Sequence, residues 1–227
     1  MTNFKGVKGV NELTIFEIPF QTKSIQRKLQ AYEINVLGQM QIVYEVMCYD
    51  HAVGGYMSEL TEEVLYDALV RYDRFPLYIT TSFNVIQEDE LHILEHLKTR
   101  PLSCYEHPRY EGDQRRTDFY CCIEVLNAND LHFVLTETFF RAAWSETFII
   151  TFTRPTYQLK TSGKWIFKEA KYTHVLDVRD GLPFILPSHD ALGFMWFANG
   201  DAFKTVDQLK TILPDNYKMD YIIDTET

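Results

Sequence analysis

The hydrophobic periodicity of this chain changes character near residue 153, and that change most restricts what it can fold into. Before it, short β-branched runs alternate with segments whose apolar residues recur every three to four positions. Strand-like runs lie at 13–18, 39–49, 77–83, 118–126 and 146–153. Helix-like segments lie between them at 22–32, 58–72, 87–98 and 130–143. In 58–72 the stripe is Leu60, Val64, Leu65, Ala68 and Leu69, with acidic residues at the start, where the helix dipole favours them. Asn129 is the expected N-cap of the 130–143 helix.

After Pro155 the signals are nearly all β, at 164–168, 171–178, 194–198 and 217–223. The exception is a short helix at 206–213, capped by Thr205 and stopped by Pro214. Turns are expected at Asp180-Gly181 and at Asn199-Gly200, the latter joining 194–198 to 201–204 as a hairpin. Phe194 to Ala198 is apolar on both faces and predicts a strand buried on both sides. The expected class is α+β. Mixed sheets have alternating β and α elements through the first two thirds, and the C-terminal third is mostly antiparallel β. Residues 99–117, with Pro101, Pro108 and Gly112, read as one long irregular loop. The expected organisation is a single compact domain over 1–227. The alternative is two lobes, 1–98 and 118–227, joined by that loop.

Composition narrows the function classes. The 227 residues carry 22 Lys and Arg against 32 Asp and Glu, a net charge of −10. That field repels phosphate backbones, so no nucleic-acid partner is expected. It favours a basic protein partner. No apolar run reaches the length of a membrane span, and the first twenty residues lack the apolar centre of a signal peptide. The expectations are therefore no membrane association and a cytoplasmic protein. Only ten glycines occur, which argues against glycine-rich phosphate cradles. Cys48, Cys104, Cys121 and Cys122 have no C-x-x-C spacing and read as free thiols, with a disulfide pair or a zinc site as the alternative.

Four short constellations carry candidate chemistry. His92-Ile-Leu-Glu95-His96 is an H-x-x-E-H string. On a helix His92 and His96 share a face and can chelate zinc, with Glu95 as general base and a distant third ligand such as Glu169. The competing reading is a solvated face, because Leu91, Leu94 and Leu97 form the inward stripe. Asp50 and His51 follow a predicted strand and precede Gly54-Gly55 and a helix, where a ligand crevice can form. The competing reading is a plain turn. Ser188-His189-Asp190 holds triad residue types, but three neighbours in sequence do not converge as a triad does, and they read as a turn or helix cap. Glu169-Ala-Lys171 has nuclease-like E-x-K spacing. No acidic residue occurs on the preceding strand to complete that site.

The 98–117 stretch stands apart. Lys98, Arg100, Arg109, Arg115 and Arg116 face three acidic residues there, leaving a local charge of +2 in an acidic chain. Tyr105, His107 and Tyr110 lie among them. Arg and Tyr are enriched at binding hot spots. The candidate binding loop is thus Arg100, Tyr105, His107, Arg109, Tyr110, Arg115 and Arg116. The functional expectation is an acidic protein-binding module that inhibits or regulates a basic partner, in the manner of immunity proteins and antitoxins. It leans away from enzymatic activity. The alternative is a metal-dependent hydrolase using 92–96. No cofactor is expected apart from zinc under that alternative.

Overall fold

Strands of alternating burial build this protein around one large sheet with apolar side chains on both faces. The computed structural model describes residues 11–84, 88–111, 114–144, 147–162, 169–199 and 202–224. Its strands are β1 (Glu12–Pro19), β2 (Ile34–Leu37), β3 (Ile42–Asp50), β4 (Gly55–Tyr56), β5 (Leu77–Asn84), β6 (Leu102–Glu111), β7 (Gln114–Val125), β8 (Phe148–Thr151), β9 (Thr156–Ser162), β10 (Glu169–Asp177), β11 (Phe184–Pro187), β12 (Gly193–Ala198) and β13 (Lys218–Ile223). Its helices are α1 (Lys23–Ala31), α2 (Ser58–Tyr72), α3 (Glu88–Leu97), α4 (Ala128–Thr138), α5 (Phe140–Ala143) and α6 (Val206–Lys210).

The main sheet runs β13-β1-β3-β12-β11-β8-β5-β7-β6, with β4 paired to β3. All its pairs are antiparallel except β1 with β13. A second sheet, β2-β10-β9, has β10 parallel to β2 and antiparallel to β9. The class is α+β, with antiparallel strands toward the C-terminus.

Parity divides the core in two. Tyr44, Val46, Phe194 and Trp196 join Leu60, Val64, Leu65, Leu131 and Leu135 of α2 and α4 on one face. Val43, Met195 and Phe197 join Ile25 and Leu29 of α1, Ile34 of β2 and Leu176 of β10 on the other. Every residue of β12 is buried, as its apolar character on both faces predicts. The helix at 58–72 forms over the predicted residues because its apolar stripe and its polar face agree with one partner surface.

Several expectations are corrected. The 99–117 stretch is not an irregular loop, because it enters the long hairpin β6–β7 at the end of the main sheet. Pro108 is tolerated there because β6 is an edge strand. Cys104 and Cys121 stand opposite each other with Cα atoms 4.2 Å apart, the short spacing of a non-hydrogen-bonded pair. Pro108, four residues on, shares that type, so its nitrogen faces outward and takes no ladder bond. Cys104 and Cys121 form a disulfide, while Cys48 and Cys122 are buried free thiols. The cap of α4 is Asn127, whose Oδ1 accepts from Asp130 N at 3.0 Å, and not Asn129. Residues 202–204 form a turn instead of the second arm of a hairpin after Ala198. Gly112, Gly200 and the strand expected at 164–168 lie outside the described residues. Among the described residues no helix is long and apolar enough to cross a membrane.

Candidate functional site

Chemistry-bearing side chains concentrate where β5, β7 and β6 pass beneath the second sheet. Three rungs of the register build the floor: Ser82, Tyr120 and Tyr105; Thr80, Cys122 and Ser103; Tyr78 and Glu124. Period-two alternation puts these on one face, with Cys121 on the other against the helices. Tyr157 of β9 and His174 of β10 close over them. Tyr105 and Tyr157 have ring centroids 4.1 Å apart, and Tyr105 stacks on Tyr120 at 5.6 Å. The buried His174 ring meets Tyr120 and Tyr157 edge-on, and its Nδ1 lies 3.5 Å from the Tyr105 hydroxyl. The Thr80 and Tyr157 hydroxyls are 3.4 Å apart.

Burial sets the protonation of this cluster. It pushes the Tyr105 hydroxyl far above the ordinary phenol range, helped by the phenol of Tyr157. It raises Tyr157 as well, with the neighbouring Cys122 adding to the shift. Burial also raises the Cys122 thiol, against hydrogen bonds to Thr80 and Tyr157 that lower it. At neutral pH Tyr105, Tyr157 and Cys122 therefore stay protonated and are neither phenolate nor thiolate nucleophiles.

A groove of about 200 Å³ opens beside it, lined by Tyr78, Pro101, Leu102, Cys122, Glu124 and Arg154. The Tyr78 hydroxyl donates to Glu124 Oε1 at 3.3 Å. Arg154 Nη2 donates to Ser103 Oγ at 3.1 Å, and its side chain is exposed. The groove thus presents the Glu124 carboxylate of β7 and the guanidinium of Arg154, from the segment between β8 and β9, an arrangement suited to holding a polar side chain or small polar ligand.

The sequence candidates distribute unevenly around it. Tyr105 belongs to the cluster. Arg100 instead pairs with Asp130 of α4 at 2.9 Å and lies over the Phe133 ring, so it braces the helix layer. His107, Arg109, Tyr110, Arg115 and Arg116 lie on the hairpin, with Arg109 opposite Arg116 and Tyr110 opposite Arg115. Their side chains lie outside the description. Asp50 and His51 lie at the turn from β3 to β4, with no direct passage from strand to helix. β4 folds back on β3, and Asp50 Oδ1 accepts from Ala52 N at 2.7 Å and Val53 N at 3.3 Å to hold the turn. His51 meets Glu12 at 3.3 Å.

His92 and His96 are exposed on α3 with ring centroids 4.4 Å apart, and Glu95 is exposed too. Leu94 and Leu97 are buried as expected, but Leu91 is 42% exposed. The side chains of Glu169 and Lys171 lie outside the description. Among the described residues no group of three or more His, Cys, Asp or Glu is arranged to hold a metal ion. Ser188 donates to Glu45 Oε1 at 2.6 Å, while His189 and Asp190 form an exposed pair on a tight turn. They make no triad, and Ser188 stands at the N-cap position of the short 3-10 turn His189–Ala191 without a side-chain cap hydrogen bond.

Sequence reading missed Tyr78, Thr80, Cys122, Glu124, Arg154, Tyr157 and His174 as a group. The polar residues of β5 and β7 alternate with a strongly apolar set, a signal that their face meets more than solvent. Which strands cover that face is a matter of topology. Compared with protein-family profiles, curated proteins and solved structures, the chain matches none of them.

Proposed function

We propose that this protein is a protein-binding module that contacts its partner through the β6–β7 hairpin, as an inhibitor or regulator of the immunity-protein or antitoxin kind. The observation that carries the reading is the Arg109–Arg116 rung. Arginine donates and has no acceptor of its own, so two arginines at one register position suit a partner that supplies acceptors. Tyr110 opposite Arg115 adds a second rung of the residue types that dominate hot spots. The net charge of −10 steers a basic partner toward the molecule over long range, while the hairpin guanidinium groups donate to carboxylates or carbonyls at contact. Behind the hairpin, burial keeps the Tyr105 and Tyr157 phenols and the Cys122 thiol protonated, which supports binding over covalent catalysis.

The test compares wild type with an Arg109→Ala/Tyr110→Ala/Arg116→Ala variant as baits in quantitative affinity capture. A protein retained by wild type at more than roughly tenfold the variant's level supports the reading, since two or three lost anchors are worth that much. Equal retention by both baits, or turnover of a substrate by the purified protein, overturns it.

A second reading, a zinc-dependent hydrolase, is favoured by one observation, the 4.4 Å approach of the His92 and His96 rings. Elemental analysis of protein purified without chelator decides it. The reading requires stoichiometric zinc that is lost in His92→Ala/His96→Ala.

A further inference from the structure

The two ends of the main sheet are guarded differently. β6 carries Pro108, whose missing amide blunts that edge. At the opposite end, β13 pairs with β1 alone among the described strands and contains no proline. Its Tyr221, Ile222 and Ile223 are 36%, 46% and 59% exposed. An open, apolar edge of this kind is a template for another strand.

The backbone fixes which residues a second strand meets. Lys218 N donates to Asn11 O and Asp224 N to Glu17 O, so residues 218, 220, 222 and 224 address β1. Met219, Tyr221 and Ile223 alternate with them and turn their amide and carbonyl outward. In an antiparallel pair, outward-facing residues must oppose one another as hydrogen-bonded partners. Only registers that match odd positions with odd positions satisfy this.

Strand overlap leaves the register centred on Tyr221 and its two neighbours, and charge then selects among these three. With Tyr221 on a two-fold axis, Met219 opposes Ile223, Asp220 opposes Ile222, and Lys218, which in its own chain meets Asp220 at 3.0 Å and Glu12 at 3.5 Å, gains Asp224 of the second copy across from it at both ends. Moving the second strand by two residues one way sets Asp220 across from Asp220. Moving it the other way sets Asp220 across from Asp224. Both place carboxylates in non-hydrogen-bonded pairs, where side chains are closest.

We infer that β13 is a self-association edge: two copies of this chain pair antiparallel through β13 about a two-fold axis at Tyr221, with Lys218–Asp224 ion pairs closing both ends. The interface is isologous, as closed two-fold symmetry requires. It joins two main sheets into one and leaves the two β6–β7 hairpins at its far ends. This inference is independent of the binding role of the hairpin.

Sedimentation velocity over a concentration series tests it. Wild type is expected to show a monomer–dimer equilibrium. Lys218→Glu and Asp224→Lys each set like charges at both ends and weaken the dimer by roughly tenfold. An equimolar mixture of the two variants restores opposite charge at both ends and recovers the dimer. Circular dichroism and melting of each variant separate loss of association from loss of fold. Independently, Tyr221→Cys is expected to yield a covalent dimer on a non-reducing gel after oxidation. The inference is overturned if wild type is monomeric at every concentration, or if single variants associate as wild type does. Hydrogen-exchange protection of the Met219, Tyr221 and Ile223 amides in a monomer would likewise overturn it, assigning the edge to the chain's own residues.

Discussion

Gly193 sets the tightest constraint at the scale of single residues. It lies opposite Met47 where β12 meets β3, and a Cβ there would stand 2.3 Å from the Val46 carbonyl oxygen. Backbone cannot yield as a flexible side chain does, so Gly193→Ala must force these central strands away from each other. The expected cost is about 2–3 kcal/mol, read as a lower urea midpoint. Cys48 offers a second test. Burial pushes its thiol from 9.0 up to about 12, over a hydrogen bond with Thr61 that lowers it. The unfolded chain therefore releases this proton at lower pH than the native chain. Above pH 9 the native state binds more protons, and stability falls as pH rises toward 12. The expected loss approaches about 1.4 kcal/mol per pH unit from this group. Urea midpoints at a series of pH values between 9 and 10 check it. The slope should be shallower in Cys48→Ala than in wild type.

At the scale of elements, capping shows how sequence signals are read and misread. Asn127 and Asn129 are both acceptable caps by type, and only geometry assigns the role to Asn127. Asn127→Ala is expected to cost about 1 kcal/mol in chemical unfolding, and Asn129→Ala close to nothing. α6 was legible from Thr205 onward, since its capping box, with Thr205 and Gln208 bonding reciprocally, is written in sequence. The hairpin was not legible. Pro101, Pro108 and Gly112 are loop signals, and local reading has no means of knowing that β6 is an edge, where proline is tolerated. The Cys104–Cys121 bond, closing a separation of 17 residues, is expected to contribute about 3 kcal/mol. Unfolding of wild type with and without reductant, against Cys104→Ser/Cys121→Ser, measures it.

For the whole molecule, the main sheet is the shared wall of both cores, with β3 and β12 contributing to each. One cooperative unit is the expected consequence of that sharing. Trp196 fluorescence and far-UV circular dichroism are expected to report coincident urea transitions, and separate transitions would favour two lobes. The candidate site belongs to this scale as well. Tyr105 was singled out by composition, but its partners Thr80, Cys122, Tyr157 and His174 come from strands far apart in sequence.

Sequence alone determined the elements whose signals are local: the α2 stripe, the doubly apolar β12, the Thr205 cap and the α+β class. Periodicity and capping act over a few residues and need no distant partner. Tertiary structure decided the strand order, which edge carries Pro108, which cysteines meet and which carboxylate Ser188 reaches. Each depends on segments brought together by burial, and a one-dimensional pattern records that a face is apolar without recording what covers it. The strand β13 shows both halves of this. Its alternation and its Lys218 and Asp224 are plain in the sequence, while the outward turn of Met219, Tyr221 and Ile223 follows only from its parallel pairing with β1.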